Sequence, residues 1–255
     1  MNIKHTFNEL KKKGEAALIA YYTFGFPTVS ESIKNVRLLA ENGADMIEIG
    51  VPFSDPLADG PVIQQACSTA LQNKVNLSLI FDSISRLNVN IPLILMSSIN
   101  PILAYGLEKT LQHSRKANVS GFIIQDLPVD EAADYSSLAE KNSIDTIFLL
   151  TPCSTEDRIR LGLMRSKGFI YCVSITGTTG MRKTVTKNTI DFVRNIKKST
   201  DIPVAVGFGI SDKVHVKALK NYADGIIVGS RLIKAVIDKE DLGSVVRELK
   251  QETLK

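Results

Sequence analysis

A closed parallel barrel of eight β/α units is the fold class predicted by three observations. Short β-branched runs recur along the chain, segments of helical period separate them, and glycine-rich turns follow the seventh and eighth runs. The runs are Ala17–Thr23, Asp45–Gly50, Leu93–Ser97, Gly121–Gln125, Thr146–Leu150, Phe169–Ser174, Pro203–Val206 and Gly225–Val228. Between them, Ser30–Asn42, Leu107–Ala117, Glu131–Asn142, Glu156–Lys167, Asn188–Lys198 and Asp212–Asn221 start on polar residues and repeat apolar ones at i, i+3 and i+4. Such segments read as crossover helices. Ile3–Lys12 precedes the first strand and is expected as an extra helix over the barrel's N-terminal end. An open doubly wound sheet is the competing arrangement, but its phosphate fingerprint follows the first strand. Here Tyr22-Thr-Phe-Gly-Phe-Pro27 offers no Gly-rich turn. No low-complexity linker divides the chain, so residues 1–255 are expected to form one domain.

Composition narrows the function classes. With 255 residues, 44% hydrophobic and 23% charged, the chain can bury a full core. The 31 basic and 27 acidic residues leave a net charge of +4, interspersed along helical segments, so no nucleic-acid footprint is present. Lys11-Lys12-Lys13 is a basic run and reads as the solvated end of the first helix. The first residues lack the apolar core of a secretory signal, and no apolar run approaches the ~20 residues that span a bilayer. A cytoplasmic protein without membrane contact is expected. Cys67, Cys153 and Cys172 are odd in number and never close-spaced, which predicts reduced, mostly buried thiols. His5, His113 and His215 fall in polar helical contexts with no second ligand at i+3 or i+4, so no metal site is expected.

The segment Glu48-Ile-Gly-Val-Pro-Phe-Ser-Asp-Pro-Leu-Ala-Asp-Gly-Pro61 carries the most chemistry. Glu48 continues the apolar run Ala44-Asp45-Met46-Ile47 and has no cation nearby in sequence, so burial should raise its pKa. An unpaired buried carboxylate costs several kcal/mol and is usually kept for a use. Asp55 and Asp59 lie among Pro52, Pro56 and Pro61, which hold the loop out of regular helix. Each reads either as a helix cap or as a functional acid.

Gly207-Phe-Gly209-Ile-Ser211 follows the seventh strand and Gly229-Ser230-Arg231 the eighth. In an eight-unit barrel these turns make the usual phosphate site, with main-chain N–H groups and helix N-termini facing an anion. A small phosphorylated substrate follows. Gly177-Thr-Thr-Gly180-Met-Arg-Lys183, after the sixth strand, is long and polar and reads as a lid.

These residues resemble the tryptophan synthase alpha chain family over essentially the whole sequence. The fourteen-residue segment from Glu48 to Pro61 is the specific match. Thr23-Phe-Gly-Phe-Pro27, Asn100-Pro-Ile102, Asp126-Leu-Pro128, Gly177-Thr-Thr-Gly180, Gly207-Phe-Gly-Ile210 and Gly229-Ser230 follow in the family's order and spacing. The resemblance implies a barrel lyase that splits indole-3-glycerol phosphate into indole and glyceraldehyde 3-phosphate, with no cofactor of its own. It implies a beta-chain partner that holds pyridoxal phosphate, in an alpha2beta2 heterotetramer. By resemblance Glu48 is the general acid/base and Asp59 accepts the indole N–H. Thr179 latches the closed lid onto Asp59, and Gly180, Gly209, Gly229 and Ser230 bind phosphate. Tyr171 and Phe208 pack the ring, Tyr21, Ile123 and Leu149 complete an apolar slot, and the loop carrying Asp55 meets the partner.

The chain departs from relatives at three places. Ile175 stands where several carry Arg, Ser98 where some have Tyr, and Gln125 where a smaller residue can occur. Other classes remain open on the residues alone. They are another phosphate-binding barrel such as an isomerase or indole-glycerol-phosphate synthase, a flavin-dependent barrel, and a noncatalytic subunit that only activates a beta chain. The first usually wants a Lys at a strand end, which no predicted strand here supplies.

Overall fold

A computed structural model describes residues 2–56, 59–174, 185–207, 209–210 and 212–254. Its strands are β1 (Ala17–Thr23), β2 (Met46–Gly50), β3 (Leu93–Ser97), β4 (Val119–Ile124), β5 (Asp145–Ile147), β6 (Leu149–Leu150), β7 (Ile170–Val173), β8 (Val204–Gly207) and β9 (Gly225–Val228). Every pairing between them is parallel, in the order β5-β4-β3-β2-β1-β9-β8-β7-β6. The two ends of that order are consecutive pieces of one strand, so the sheet closes on itself as the predicted (β/α)8 barrel. The fifth strand, expected as one run, is divided at Phe148. The Phe148 ring is buried in the outer layer while its carbonyl still accepts the Tyr171 N–H at 3.1 Å, so the ladder survives the break.

The helices are α1 (Ile3–Lys13), α2 (Val29–Glu41), α3 (Pro61–Gln72), α4 (Leu77–Ile84), α5 (Ile99–Tyr105), α6 (Leu107–Lys116), α7 (Ala133–Lys141), α8 (Glu156–Arg165), α9 (Lys187–Lys198), α10 (Lys213–Leu219), α11 (Ser230–Ile237) and α12 (Leu242–Gln251). Thr28, Asn76, Thr155, Thr186 and Asp212 begin five of them, each side-chain oxygen accepting a first-turn N–H. The N-terminal part of the predicted segment Glu131–Asn142 is a separate 3-10 turn, Val129–Glu131, before α7.

Strand alternation sorts the core into two layers. Ala17, Ile19, Met46, Ile94, Met96, Ile123, Ile147, Phe169, Tyr171, Ala205 and Ile227 fill the barrel, together with Ile3, Phe7 and Leu10 of α1. The intervening residues, such as Leu18, Ala20, Tyr22, Ile47 and Ile49, pack outward under the helices. Thus α1 plugs the N-terminal mouth as expected, with Phe7 edge-on to Phe169 at 5.9 Å between ring centroids. Gly121 makes room for it, since a Cβ there would stand 2.8 Å from Ile3 Cδ1. At the same end Lys250 of α12 reaches Glu15 and Asp45, each at 2.9 Å, and Asp45 Oδ2 accepts the Leu18 N–H at 2.7 Å. The C-terminal mouth is left for chemistry.

All three cysteines are free, with Cys67 and Cys172 buried and Cys153 exposed. His215 differs from its expected polar context: it is buried on the inner face of α10. Among the described residues no helix is long and apolar enough to cross a membrane, and no cluster of His, Cys, Asp and Glu could hold a metal ion.

Candidate active site

Glu48 sits in the middle of β2, two residues after the inward-facing Met46, and is fully buried. Neither carboxyl oxygen has a hydrogen-bond partner among the described residues. Burial, and secondarily the negative charge of Asp59, pushes its pKa up to about 8. At neutral pH Glu48 is therefore mostly a protonated acid.

Asp59 lies on the loop between β2 and α3. Its N–H donates to the Pro56 carbonyl at 3.1 Å, and the Asp59 carbonyl accepts from Gln64 Nε2 at 2.8 Å, so the backbone is fixed while the carboxylate is left for other work. The cap of α3 is Gly60, with no side-chain cap bond, so neither Asp55 nor Asp59 caps that helix. Burial raises Asp59 to about 6, which leaves it mostly ionised at pH 7. Two carboxyl groups in one pocket thus rest in opposite protonation states. Asp55 lies on the exposed part of the same loop.

Tyr21, Ile123, Leu149 and Tyr171 all belong to the interior layer; Ile123 and Tyr171 are buried, Tyr21 and Leu149 half-buried. Burial and then the nearby carboxylates push both phenols upward, Asp59 more than Glu48 at Tyr21 and Glu48 more than Asp59 at Tyr171. Each phenol therefore feels both acids, which places the four groups around one space.

The glycines have a packing reason that the sequence did not reveal. The Tyr21 ring lies between Gly50 and Gly229, where a Cβ on Gly229 would stand 2.8 Å from Tyr21 Cδ1 and one on Gly50 would overlap the phenol oxygen. Gly207 makes the same room for the Tyr171 hydroxyl. Gly209 is exposed with φ 71°, a left-handed turn that glycine adopts without strain. Gly229 is the N-cap of α11 and Ser230 its first residue, and no side chain caps that end, so its first N–H groups have no side-chain acceptor. Thr179, Gly180 and Phe208 lie outside the described residues, as do Ile175 and the rest of the expected lid from Gly177 to Lys183.

Sequence reasoning missed Thr23 and Cys67. Thr23 is fully buried, and its Oγ1 lies 3.3 Å from the Tyr21 hydroxyl. The Cys67 thiol, raised to about 11 by burial and then by Asp59, bonds Thr23 and the Phe53 backbone. Thr23 could have been found from its place two residues beyond Tyr21 on the same strand face. No local pattern marks Cys67, because α3 brings it back over β1.

Known proteins share this fold and much of this sequence. The family model for the tryptophan synthase alpha chain matches residues 7–254. The tryptophan synthase alpha chain of Methanosarcina acetivorans is 44% identical over 99% of this chain and 94% of its own length. That of Dehalococcoides mccartyi is also 44% identical, over 92% and 94%. A structure of Mycobacterium tuberculosis tryptophan synthase superposes with a TM-score of 0.93 at 33% identity, covering 99% of this chain and 98% of that one. The tryptophan synthase subunit alpha of Legionella pneumophila gives a TM-score of 0.90 at 30% identity, covering 99% and 98%. With sequence and fold in agreement from one end to the other, the chain belongs to the tryptophan synthase alpha chain family.

Proposed function

We propose that this chain, acting as one domain over residues 1–255, cleaves indole-3-glycerol phosphate into indole and glyceraldehyde 3-phosphate with Glu48 and Asp59 as its reacting pair. The observation that carries the reading is the split protonation of two buried carboxyls that sense each other, Glu48 neutral and Asp59 ionised at pH 7. Cleavage needs a proton on indole C3, loss of the proton from the adjacent side-chain hydroxyl, and rupture of the bond between those two carbons. The bonding pair returns to the ring as indole forms, and the hydroxyl carbon becomes the aldehyde. Glu48 gives its proton to C3 and, as the carboxylate so formed, takes one from the side-chain hydroxyl oxygen, while Asp59 accepts the ring N–H and stabilises the positive charge that C3 protonation creates.

Phosphate held by Gly180, Gly209, Gly229 and Ser230 provides remote binding energy that fixes the reacting carbon beside Glu48. Tyr21, Ile123, Leu149, Tyr171 and Phe208 take the ring, and Thr179 orients Asp59. No step calls for a cofactor in this chain; the pyridoxal phosphate of the complete synthase belongs to the beta chain. Release of indole from indole-3-glycerol phosphate by the purified chain tests the reading, and its absence both with and without a beta chain would refute it.

Gly229→Asp should raise KM about tenfold or more by placing a negative charge against the phosphate. Because a Cβ at Gly229 also meets Tyr21, the exposed Gly209→Asp is the companion variant, read beside a thermal melt that reports the strain of placing a side chain at φ 71°. Calorimetric titration with glycerol phosphate checks both, and wild-type affinity in the pair would put the phosphate elsewhere.

The partner is a beta chain, in an alpha2beta2 heterotetramer working in the cytoplasm. Asp55 is exposed and stands four residues before Asp59 in sequence, so a partner that meets it acts close to the reacting pair. A cognate beta chain is expected to raise indole production by ~10-fold or more, a coupling of at least about 1.4 kcal/mol. Cleavage rate against added beta chain measures it, and a flat response would refute the coupling.

A further inference from the structure

The wall of the barrel left for the indole ring is polar on one side. If phosphate is held after β8 and β9 and C3 lies beside Glu48 of β2, as the reading above has it, the ring falls against the inner faces of β3, β4, β6 and β7. Met96 of β3 pairs with Ile123 of β4, and Ile123 with Ile147 of β5. Two residues beyond each of these come Ser98, one past the end of β3 and the N-cap of α5, Gln125, one past the end of β4, and Leu149 of β6; the extended backbone of Ser98 and the Gln125 N–H bond to the Ser97 carbonyl carry the strand parity on to them, and Leu149 pairs with Tyr171. This upper row therefore runs hydroxyl, carboxamide, aliphatic, aromatic.

The polar half is held firmly. Gln125 Nε2 donates to Ser98 Oγ at 3.0 Å, and Ser98 is only 3% exposed. The backbones beneath are joined by Gln125 N–H to the Ser97 carbonyl at 3.1 Å and by Ile99 N–H to Asp126 Oδ1 at 2.7 Å. Ser97 Oγ bonds the Ser98 carbonyl at 2.8 Å. The Gln125 amide spends one N–H on Ser98, and its carbonyl oxygen has no partner among the described residues. Gln125 is half-exposed, so water satisfies a carbonyl oxygen that no bound group takes.

We propose that the Ser98–Gln125 pair is a specificity determinant of the indole slot, accepting a hydrogen bond from a hydroxyl or amino group on the six-membered ring of the substrate. An unsubstituted ring leaves a water on the amide and is still taken. A ring hydroxyl at the matching carbon replaces that water and is favoured, whereas an apolar group of the same size gains nothing there. The proposal rests on the lyase reading, and the test separates the two.

The measurement is the reverse reaction, condensation of glyceraldehyde 3-phosphate with indole, with each isomer of indole hydroxylated on the six-membered ring, and with the methylated isomers. It is made on the wild type, Gln125→Met and Ser98→Ala. For at least one hydroxyl isomer, kcat/KM relative to indole should fall about tenfold in Gln125→Met while the methyl isomer at that carbon does not fall. Ser98→Ala, which releases the amide, should lower the same ratio by about threefold and decides the matter if Gln125→Met does not fold. Hydroxyl ratios within about twofold of wild type for every isomer, or hydroxyl and methyl ratios falling together, would overturn the proposal. A wild type that fails to condense indole itself overturns the lyase reading and this proposal with it.

Discussion

Glu48→Gln should slow indole release by ~10²–10⁴-fold while binding glycerol phosphate as the wild type does, because the amide keeps the shape of the acid but cannot cycle a proton. The same variant should be more stable than the wild type at alkaline pH. In the folded chain the Glu48 pKa is raised to about 8 from its ordinary value of 4.5, so the folded state holds more protons than the unfolded state between those values. Stability attributable to Glu48 is thus undiminished below about pH 4.5, declines as pH rises through the window, and is fully lost above about pH 8. The loss is on the order of a few kcal/mol, at about 1.4 kcal/mol per unit. The amide carries no charge to desolvate, so urea midpoints of the two proteins should converge near pH 5 and separate by pH 9, with the variant higher. A lost rate accompanied by lower alkaline stability would mean that the substitution disrupts the barrel and would remove the acid/base assignment.

Asp59→Asn should cost at least ~10²-fold in kcat/KM, since an amide cannot neutralise the ring nitrogen as charge develops. The pH profile is more discriminating than the rate. The wild type should show a bell, rising as Asp59 ionises near pH 6 and falling as Glu48 ionises near pH 8. In Asp59→Asn the acid limb should disappear. The alkaline limb should also move to lower pH, because the Asp59 charge is one cause of the elevated Glu48 pKa. An acid limb that persists would assign it to another group, and a fixed alkaline limb would show that the two carboxyls do not sense each other.

The barrel was legible because its signals are local. Short, nearly continuous apolar runs such as Ala17–Thr23 and helical runs such as Ser30–Asn42 place their apolar residues where the fold needs them. Thr146-Ile-Phe-Leu-Leu150 reads as one strand because Phe148 has the right parity for the outer layer, and nothing in those five residues announces the break. Helices α3, α4, α5, α11 and α12 are not among the segments whose period announces them. In α5 a proline stands at the third position, and α11 is only eight residues long, barely two turns in which to show a period. Glu48 could be named from sequence because its burial follows from the apolar run around it. The raised pKa of Asp59 could not, since the groups that desolvate it come from other elements. Gly229 and Gly50 show the same limit, for the ring that fills their missing side chains belongs to Tyr21, distant from both along the chain.

The Lys250 contacts bear on how the protein is made. Glu15 forms an isolated antiparallel bridge with Leu254, and Lys250 spans 235 residues of sequence to reach the same Glu15. Residues 17–20 of β1 take their outer hydrogen-bond partners from β9, beginning at Gly225. On a ribosome working at ~5–20 residues per second, the separation of 225 − 17 = 208 positions keeps that edge of β1 open for roughly 10–40 s after it emerges. The nascent chain is an unsealed sheet for that time, with a flat apolar edge of the kind that recruits other strands. A message truncated before β9 would release that edge permanently, and loss of the Lys250 clasp would return a finished chain toward the same vulnerable state.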